Sequence, residues 1–533
     1  MQIDRRRFIR SSVLAGAGLV LSPGKGLCDE NTSDYFGVHP FILMNPDAVF
    51  IMKTNVDVKT NSSVIKKTGL DFGRSVFCNT GDKENGFPKT GKIVIKPNLT
   101  CRARNSSAYT IERSMGIVTD AFFVEGVIES LKELGLSSNQ LFIREVNCPD
   151  DFSDGGYISM AERTGIDLQG INTPVQNLAP EQVSWVNVPG GVFFRRIPYL
   201  WPVNAPGTFL INIAKFKTHG MGMTLCAKNL QGTIAANYQA HCSAYGRSIS
   251  GVSASDLNPA AASDILANYN RHRVAGIPRW DKPGSDGGLW QEIWATRCLD
   301  NNSVTFAGLH IIEGIYGRDG DFMTGPAQNG LATDYMTNII IFGRNQFHVD
   351  NIGHYLGGHE PGNFGLFHLA LERGMAKTIN PGEIPLYEWD IHTGARPVSL
   401  ESQQRFRLKT YYLQRNYNGQ DEPYWHLVNE PYEYDSAGVN DPGFSRSGFH
   451  LQQNFPNPVN TVTSIPFRLP SGGNARLEIL NTSGKLIEVI VNRNLEGGTH
   501  TVLWDSRTVP SGSYICRIHF NSMNSTIWMI VIH

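Results

Sequence analysis

The sequence lacks the short motifs that mark the common enzyme and metalloprotein classes. None of its eight cysteines falls in a Cys-x-x-Cys pair, which excludes zinc ribbons, thioredoxin motifs and ferredoxin-type iron–sulfur runs. The patterns Gly-x-Ser-x-Gly and His-Glu-x-x-His are also missing. Gly86 to Lys92 has the glycine spacing of a P-loop, but Ile93 stands where a serine or threonine would bind Mg²⁺, and a predicted strand follows instead of preceding it. We therefore predict no P-loop nucleotide site.

The sequence also has no excess of charge of either sign. The 47 Lys and Arg residues and 48 Asp and Glu residues leave a net charge of −1. Because this balance offers no basic surface to a polyanion, we expect no nucleic-acid partner. No segment after residue 30 reaches the apolar length of about 18 residues that a membrane-spanning helix needs, so we expect no transmembrane helix in the mature protein.

The first thirty residues have the pattern of a removable export signal, residues 1–30. Arg5 and Arg6 precede Phe8, and a short apolar run from Ser12 to Leu21 follows. This spacing resembles the twin-arginine signal peptide, and an arginine-rich general secretory signal is the alternative. Either signal predicts export to a compartment where disulfides form, and the pairing of the remaining cysteines stays open.

From residue 448 onward the chain changes to short segments of alternating apolar and polar residues. Turn signals such as Pro470-Ser-Gly-Gly, Asn481-Thr-Ser-Gly and Pro510-Ser-Gly separate these segments. Six or seven short strands at this spacing are typical of a small β-sandwich. We therefore predict an all-β domain over residues 448–533.

Specific residues of this module resemble a known family. Its opening, Leu451-Gln-Gln-Asn-Phe-Pro-Asn-Pro-Val-Asn, and the later Leu480-Asn-Thr-Ser-Gly, Trp504-Asp and Ser511-Gly-Ser-Tyr are similar to the type A C-terminal sorting domain of the type IX secretion system. The resemblance implies translocation across the outer membrane by that machinery, then cleavage of the module or attachment at the cell surface. A carbohydrate-binding or stalk sandwich is the alternative.

The pattern of residues 35–385 predicts an α/β domain. We interpret residues 386–447 as an elaboration of that domain followed by a linker. Helical periodicity is clearest from Val118 to Leu134, where apolar residues recur every three or four positions before Gly135. The alternation of strands and helices predicts a largely parallel, doubly wound sheet. The apolar strand candidates are residues 92–96, 141–145, 208–213, 304–310 and 338–342.

Polar side chains cluster where two predicted strands end. Because side chains alternate along a strand, each strand end would present its polar groups together on one face. Ligands of open α/β sheets bind at the carboxyl ends of strands, and lysines with amides suit a phosphate or a carboxylate. A solvated basic strand end is the alternative. We predict an anion site whose catalytic residues are His219 and Lys217 and whose ligand-binding residues are Lys96, Asn98, Lys215, Lys228 and Asn229.

The same segments resemble an uncharacterised family. Ile95-Lys-Pro-Asn-Leu, Asn212-Ile-Ala-Lys-Phe-Lys-Thr-His and Thr224-Leu-Cys-Ala-Lys-Asn-Leu-Gln-Gly are similar to the family named domain of unknown function 362. Looser similarity in Glu313-Gly-Ile-Tyr-Gly extends the resemblance over most of residues 90–375. Some members of that family carry ferredoxin-like iron–sulfur modules, which implies redox chemistry for them, but the cysteine runs of such a module are missing here. The family name implies no activity.

A second polar cluster follows in His348-Val-Asp-Asn-Ile-Gly-His. Asp350 and His354 are four residues apart and share one face of a helix, where they would suit a divalent metal, with Asp319 and Asp321 as further carboxylates. The alternative is that Asp350 caps a helix while the histidines pack. Cys226 suggests a second hypothesis, in which its thiol is a nucleophile. The alternative is a buried, inert cysteine.

Together these predictions describe an exported α/β protein that acts on an anionic small molecule. Lysines would bind the anion and His219 would transfer a proton. The cofactor stays open, with a divalent metal or a redox group as options. The alternative is a non-catalytic surface protein that binds an anionic ligand or a metal. The expected location is the cell surface or the medium, reached through the periplasm by the type IX machinery.

Overall fold

A computed structural model of the chain contains two compact units, a central unit that ends at Tyr434 and a C-terminal unit that begins at Asp435. The predicted signal residues Arg5 and Arg6 lie outside the described residues. The described residues are 33–99, 111–145, 149–170, 173–219, 222–239, 245–280, 287–321, 324–327, 329–410, 432–434, 449–451, 454, 459–482, 484–521 and 523–531.

The central unit alternates strands and helices along the chain. Its described strands are β1 (Tyr35–Val38), β2 (Val49–Lys53), β3 (Phe77–Thr80), β4 (Phe87–Pro88), β5 (Lys92–Pro97), β6 (Leu141–Arg144), β7 (Asp167–Gln169), β8 (Val183–Asn187), β9 (Arg196–Leu200), β10 (Thr208–His219), β11 (Gly222–Thr224), β12 (Leu309–Arg318), β13 (Asp334–Gly343), β14 (Leu386–Asp390) and β15 (Gly394–Pro397). Its described helices are α1 (Pro40–Met44), α2 (Ser62–Val76), α3 (Ile111–Ser114), α4 (Ala121–Glu133), α5 (Pro149–Asp154), α6 (Tyr157–Thr164), α7 (Cys226–Asn229), α8 (Tyr245–Ser248), α9 (Ala261–Val274), α10 (Gly288–Asn302), α11 (Gln346–Leu356) and α12 (Gly365–Glu372).

One large mixed sheet forms the middle of this unit, and the predicted α/β class is confirmed. Its strand order is β15-β14-β2-β13-β12-β10-β5-β6-β7, with β11 paired to β10. The half from β12 to β7 is parallel, as is the pair β2 and β14. The other pairs are antiparallel, because β12 and β13 follow one another as a hairpin and β13 then pairs with β2. Residues 386–397 add β14 and β15 to the edge of this sheet.

Helices and apolar cores cover both faces of the sheet. Side-chain alternation along β5 sends Ile93 and Ile95 into a core with α2 and α4. Val94, between them, packs on the other face with Ile293 of α10. The sheet is therefore buried on both faces, which explains why its central strands are nearly continuous apolar runs.

The predicted helix from Val118 to Leu134 is confirmed as α4, which packs closely against α2. Glycine permits the close approach at two points. A Cβ at Gly69 would lie 2.1 Å from the carbonyl oxygen of Phe123, and one at Gly126 would lie 2.1 Å from that of Lys66. Larger side chains would push the two helices apart.

The predicted strand over residues 304–310 is wrong for most of its length. Helix α10 continues to Asn302, and β12 begins only at Leu309. The apolar residues Val304 and Phe306 belong to the connection between them. Val304 is buried there but Phe306 is exposed, so a short apolar run indicates neither a strand nor full burial.

The C-terminal unit consists of small antiparallel sheets, as predicted. One has the order β16-β17-β20 and the other β19-β18-β21-β22. Both sheets contribute to one core, in which Phe467, Ile479, Trp504 and Ile518 are buried. The strands are β16 (His450–Leu451), β17 (Val462–Leu469), β18 (Gly473–Asn481), β19 (Leu486–Leu495), β20 (Gly498–Asp505), β21 (Gly512–Phe520) and β22 (Met523–Val531).

No helix among the described residues has both the length and the apolar character to cross a membrane.

A buried histidine joins three helices of the central unit. His272 of α9 places Nδ1 2.7 Å from Glu292 of α10 and Nε2 2.7 Å from Glu372 of α12. The indole N–H of Trp280 also donates to Glu292 at 2.6 Å. Burial alone would lower the pKa of His272, but the two carboxylates outweigh it and raise the pKa to about 9. The imidazolium therefore stabilises the packing of these helices at neutral pH.

We expect this interaction to make the stability of the central unit depend on pH. Because the folded-state pKa is about 9 and the ordinary value is 6.5, the contribution is complete below pH 6.5 and is lost as the pH rises through 9. Relative to His272→Gln, the free energy of unfolding of the wild type should fall by about 2–3 kcal/mol over this range. Urea denaturation at a series of pH values measures the difference, and equal pH dependence of the two proteins would contradict the assignment.

Candidate functional site

The carboxyl ends of β5 and β10 lie side by side, because these strands pair in parallel. Lys96 lies opposite Asn212 in this register, so their side chains share one face of the sheet. Lys215 lies three residues further along β10, which puts its side chain on the opposite face. The sheet therefore divides the predicted lysine cluster into two separate polar networks.

On the first face, Lys96 is buried among polar side chains. Its Nζ lies 2.5 Å from Glu145 Oε2 and donates to Asn229 Oδ1 at 3.1 Å. Asn98 Nδ2 donates to the same oxygen of Asn229 at 3.2 Å. Burial lowers the pKa of Lys96, and Glu145 opposes this shift. Three of the predicted residues thus lie together, but the carboxylate of Glu145 balances the charge of Lys96.

This network continues through two amides to a histidine. Asn229 Nδ2 donates to Asn212 Oδ1 at 2.8 Å, and Asn212 Nδ2 lies 3.1 Å from His310 Nδ1. Burial lowers the pKa of His310 to about 3, so the neutral ring accepts the amide hydrogen. Gly232 closes over the network, because a Cβ there would lie 1.9 Å from Glu145 Oε1.

On the opposite face, Lys215 is paired inside the core. Its Nζ lies 2.7 Å from Glu313 Oε2, with both side chains fully buried, and 3.4 Å from the ring centroid of Tyr316. The backbone N–H of Asp120, the capping residue of α4, donates to Glu313 at 3.1 Å, and Tyr316 OH donates to the Asp120 carboxylate at 2.6 Å. Burial raises the pKa of Glu313, and Lys215 opposes this shift. Lys215 therefore belongs to a closed internal network.

Lys217 and His219, the predicted catalytic residues, lie at the end of β10. Lys217 Nζ donates to the carbonyl oxygen of Ile117. His219 Nε2 lies 3.8 Å from Asp321 Oδ1, which is too long for a hydrogen bond but within ion-pair distance of a protonated ring. The His219 side chain is 11% exposed. Asp321, considered from the sequence as a metal ligand, thus lies beside the predicted catalytic histidine.

Asp350 lies on α11 and caps the neighbouring helix α7. Its two carboxylate oxygens accept the backbone N–H groups of Cys226 at 2.7 Å and Ala227 at 2.8 Å. Burial raises the pKa of Asp350 to about 7. Burial, together with Asp350, also raises the pKa of the Cys226 thiol well above its usual range. Because a nucleophilic cysteine needs a lowered pKa, this favours the interpretation of Cys226 as inert.

His354 lies one turn along α11 from Asp350. Its Nδ1 lies 2.8 Å from the carbonyl oxygen of Asp350, which can only accept, so Nδ1 donates. Burial lowers the pKa of His354 to about 3, so Nε2 of the neutral ring is an acceptor. The described part of the chain contains no group of three or more His, Cys, Asp or Glu side chains placed to hold a metal ion. The metal assignment of Asp350 and His354 stays a prediction.

A small cavity brings Lys228 together with Asp350 and His354. It lies among α7, α10, α11 and α12, and thus joins residues from two clusters that are more than a hundred positions apart in the sequence. Most of its wall is apolar or aromatic. The other lining residues are Met223, Trp294, Phe364, Leu366 and Phe367.

Two hydrogen-bond donors on this cavity have no acceptor among the described residues. The indole N–H of Trp294 is buried and makes no hydrogen bond to any residue that the structure describes. Lys228 is half-buried, and within the described ranges no carboxylate lies at ion-pair distance from its ammonium group. A buried donor without an acceptor costs about 1–3 kcal/mol. This cost applies to the indole N–H of Trp294, which is therefore suited to a bound group that accepts a hydrogen bond, while half-buried Lys228 adds a positive charge to the same cavity.

Sequence reasoning missed three residues of these networks. Glu145 is the last residue of the strand candidate 141–145. Its position at a strand end, like that of Lys96, could have indicated that it belongs to the same polar cluster. Glu313 lies in a segment noted only for its family resemblance. Trp294 lies in α10, which is buried nearly all round, so its periodicity gave no sign of a cavity.

Comparisons with known proteins match different families to the central unit and to the C-terminal unit. Residues 93–354 match the family model described as Domain of unknown function (DUF362), and residues 453–533 match the Secretion system C-terminal sorting domain. The sorting domain indicates secretion to the cell surface or outside the cell. No curated protein matches the chain.

Two solved structures share limited similarity with the chain. One is the crystal structure of dimeric latent PorU from Porphyromonas gingivalis, with 20% identity, a TM-score of 0.15, and coverage of 17% of this chain and 10% of that one. The other is PorZ, described as an essential bacterial surface component of the type-IX secretion system of Porphyromonas gingivalis, with 17% identity, a TM-score of 0.13, and coverage of 28% and 20%. The chain thus spans only a small part of either structure.

Breaking the ion pair of Lys215 should destabilise the central unit. We expect Glu313→Gln to lower the free energy of unfolding by about 3–5 kcal/mol, because it leaves a buried ammonium without a countercharge. The double variant Lys215→Met with Glu313→Gln should lose less free energy of unfolding, because no buried ammonium remains without a countercharge. The control is Glu129→Gln, which removes a partly exposed partner of Lys66 and should cost about 1 kcal/mol or less. Urea denaturation compares them, and equal losses for Glu313→Gln and Glu129→Gln would contradict the assignment.

Proposed function

We propose that this chain, in which a DUF362 region precedes a type IX sorting domain, is an exported protein that binds an anionic small molecule at Lys228 and Trp294, two residues that line one small cavity. The observation that carries the proposal is the pair of donors without described acceptors, one of them charged. An anion supplies both the acceptor atoms and the countercharge.

In this proposal, Lys96 and Lys215 hold the strands together and do not bind ligand. Each lies within 2.7 Å of a buried glutamate oxygen. An anion could reach either ammonium only by separating a buried ion pair, which costs several kcal/mol, about 3–5. Lys228 differs because no described carboxylate competes for it. The anion site therefore lies beside the strand ends, on the helices that follow β10.

We extend the proposal to turnover by His219, with Lys217 contributing positive charge. This histidine is connected to the cavity through the pairing of β10 with β11. His219 of β10 pairs with Gly222 of β11, and the next residue, Met223, lines the cavity. Asp321 places a carboxylate oxygen 3.8 Å from Nε2 of this histidine, where it would favour the protonated form of the ring. The alternative is a surface protein that binds an anion or a metal without turnover, and elemental analysis of the protein isolated from its native compartment tests the metal.

We expect Lys228→Gln to weaken binding of small anions about 10- to 100-fold, because the variant loses a charged hydrogen bond. Isothermal titration calorimetry with acetate and phosphate as probes measures the loss. Lys228→Arg should retain most of the affinity, and Lys67→Gln, on the exposed face of α2, should leave it unchanged. Equal binding by Lys228→Gln and Lys67→Gln would contradict the site.

For turnover, we expect His219→Gln to slow consumption of the bound anion about 100-fold or more, since an acid–base group typically contributes this much. Binding should stay within about twofold of the wild type. Lys217→Gln should reduce both. NMR spectra of small carboxylate and phosphate compounds incubated with the mature protein measure consumption. Binding without consumption by the wild type would favour the non-catalytic alternative.

A further inference from the structure

We propose that the outer edge of β19 pairs with the same strand of a second copy of this chain, in antiparallel orientation. This pairing involves the C-terminal unit and is independent of the proposed anion site. Strand β19 lies at the end of its sheet, where β18 is its partner among the described strands. The backbone N–H and C=O groups on its other side face no described strand, so an extended segment can add to them.

Strand β19 exposes apolar side chains along this edge. Leu486, Ile487 and Val489 are 44%, 40% and 37% exposed, although they follow one another closely within a single strand. In a single copy of the chain these side chains stay partly in water, whereas a neighbouring strand would cover them. A group of exposed apolar residues on an edge strand indicates an interaction surface.

The charges on β19 and at its two ends identify the occupant of the edge. Residues 485–496 contain four charged side chains that alternate in sign: Lys485, Glu488, Arg493 and Glu496. Their spacing is symmetric about the middle of the segment. When two identical copies pair antiparallel about that middle, Glu488 faces Arg493 of the second copy. In the same register Lys485 faces Glu496, so every charge meets an opposite charge, which stabilises a strand pair.

This register is the one that the charges specify. A shift of one or two residues in either direction would place each of the four charges opposite an uncharged residue. Within the described ranges, none of the four side chains forms an ion pair in the single copy. Glu488 accepts the indole N–H of Trp504 at 3.0 Å, which leaves its other carboxylate oxygen for an arginine.

The shape of β19 also favours an identical strand over an arbitrary one. Its register against β18 shifts twice, which leaves Ile487 and Ile490 without a partner residue on β18. Such bulges increase the local twist, and twisted edges protect a sheet against indiscriminate pairing. A second copy of β19 has the same twist as well as the complementary charges.

The pairing would be weak, because the interface is small. Strand β19 contains ten residues, and one strand pair buries less than the roughly 1,600 Å² of a standard protein interface. We therefore expect a dissociation constant of about 1–100 µM. Because the charges are exposed, the affinity should fall as the ionic strength rises.

Sedimentation equilibrium of the full chain, from micromolar to millimolar concentrations, measures the dimer. We expect Glu488→Arg and Arg493→Glu each to weaken dimerisation about 10- to 100-fold, because each variant places like charges opposite one another at two symmetric positions. The control Lys67→Glu, an exposed charge reversal on α2, should leave dimerisation unchanged.

Mixing the two variants tests the register itself. A copy with Glu488→Arg and a copy with Arg493→Glu have opposite charges across the pair, so the mixture should form a heterodimer within about threefold of the wild-type affinity. Lys485→Glu mixed with Glu496→Lys provides the same test without touching the hydrogen bond of Trp504, in case Glu488→Arg impairs folding.

Three results would each overturn the pairing. They are a wild type that stays monomeric at every concentration, a dimer that the single charge reversals leave intact, and variants that fail to recover the dimer in both mixtures. None of these measurements depends on Lys228 or on a bound anion, so failure here leaves the proposed function untouched.

Discussion

Strand β10 carries polar residues through the middle of the central unit, where every position from Leu210 to His219 is buried. A buried charge or amide is stable only if a neighbour supplies its partner. This requirement constrains the surrounding elements. Strand β12 pairs in the register that puts Glu313 opposite Lys215, and Asp120, which caps the start of α4, donates its N–H to the same carboxylate. The electrostatics of one strand thus help to determine both a strand register and the start of a helix.

The same requirement separates the lysines by role. Lys96 and Lys215 lie on opposite faces of the sheet, and each is matched to a buried glutamate, so both stabilise the strand ends. Lys228 lies on a short helix beyond the end of β10, half-buried at a cavity. A lysine at a strand end is therefore not in itself evidence of an anion site. Whether its ammonium group is available to an anion depends on which carboxylates the fold brings within reach.

The central and the C-terminal unit each have their own core and their own buried ion pairs. The C-terminal unit has its own apolar core, and its buried Glu478 is paired with Arg517 of the same unit. The central unit likewise contains both partners of its buried ion pairs and all the residues that line the cavity. Each unit thus contains the interactions that hold its own residues in place.

Local pattern in the sequence determined the elements and the export module. Alternation and turn residues were enough for β5, β10 and β13 and for the small antiparallel sheets, and helical periodicity was enough for α4. The strand prediction over residues 304–310 was wrong because it relied on a short apolar run, which a connection can also contain. What only the tertiary structure decided was the partner of each buried charge. Glu145 lies 49 residues from Lys96, and Glu313 lies 98 residues from Lys215. Sequence periodicity reports the face on which a side chain lies, but an ion pair or a cavity depends on strand order, register and helix packing, which bring distant residues within a few ångströms.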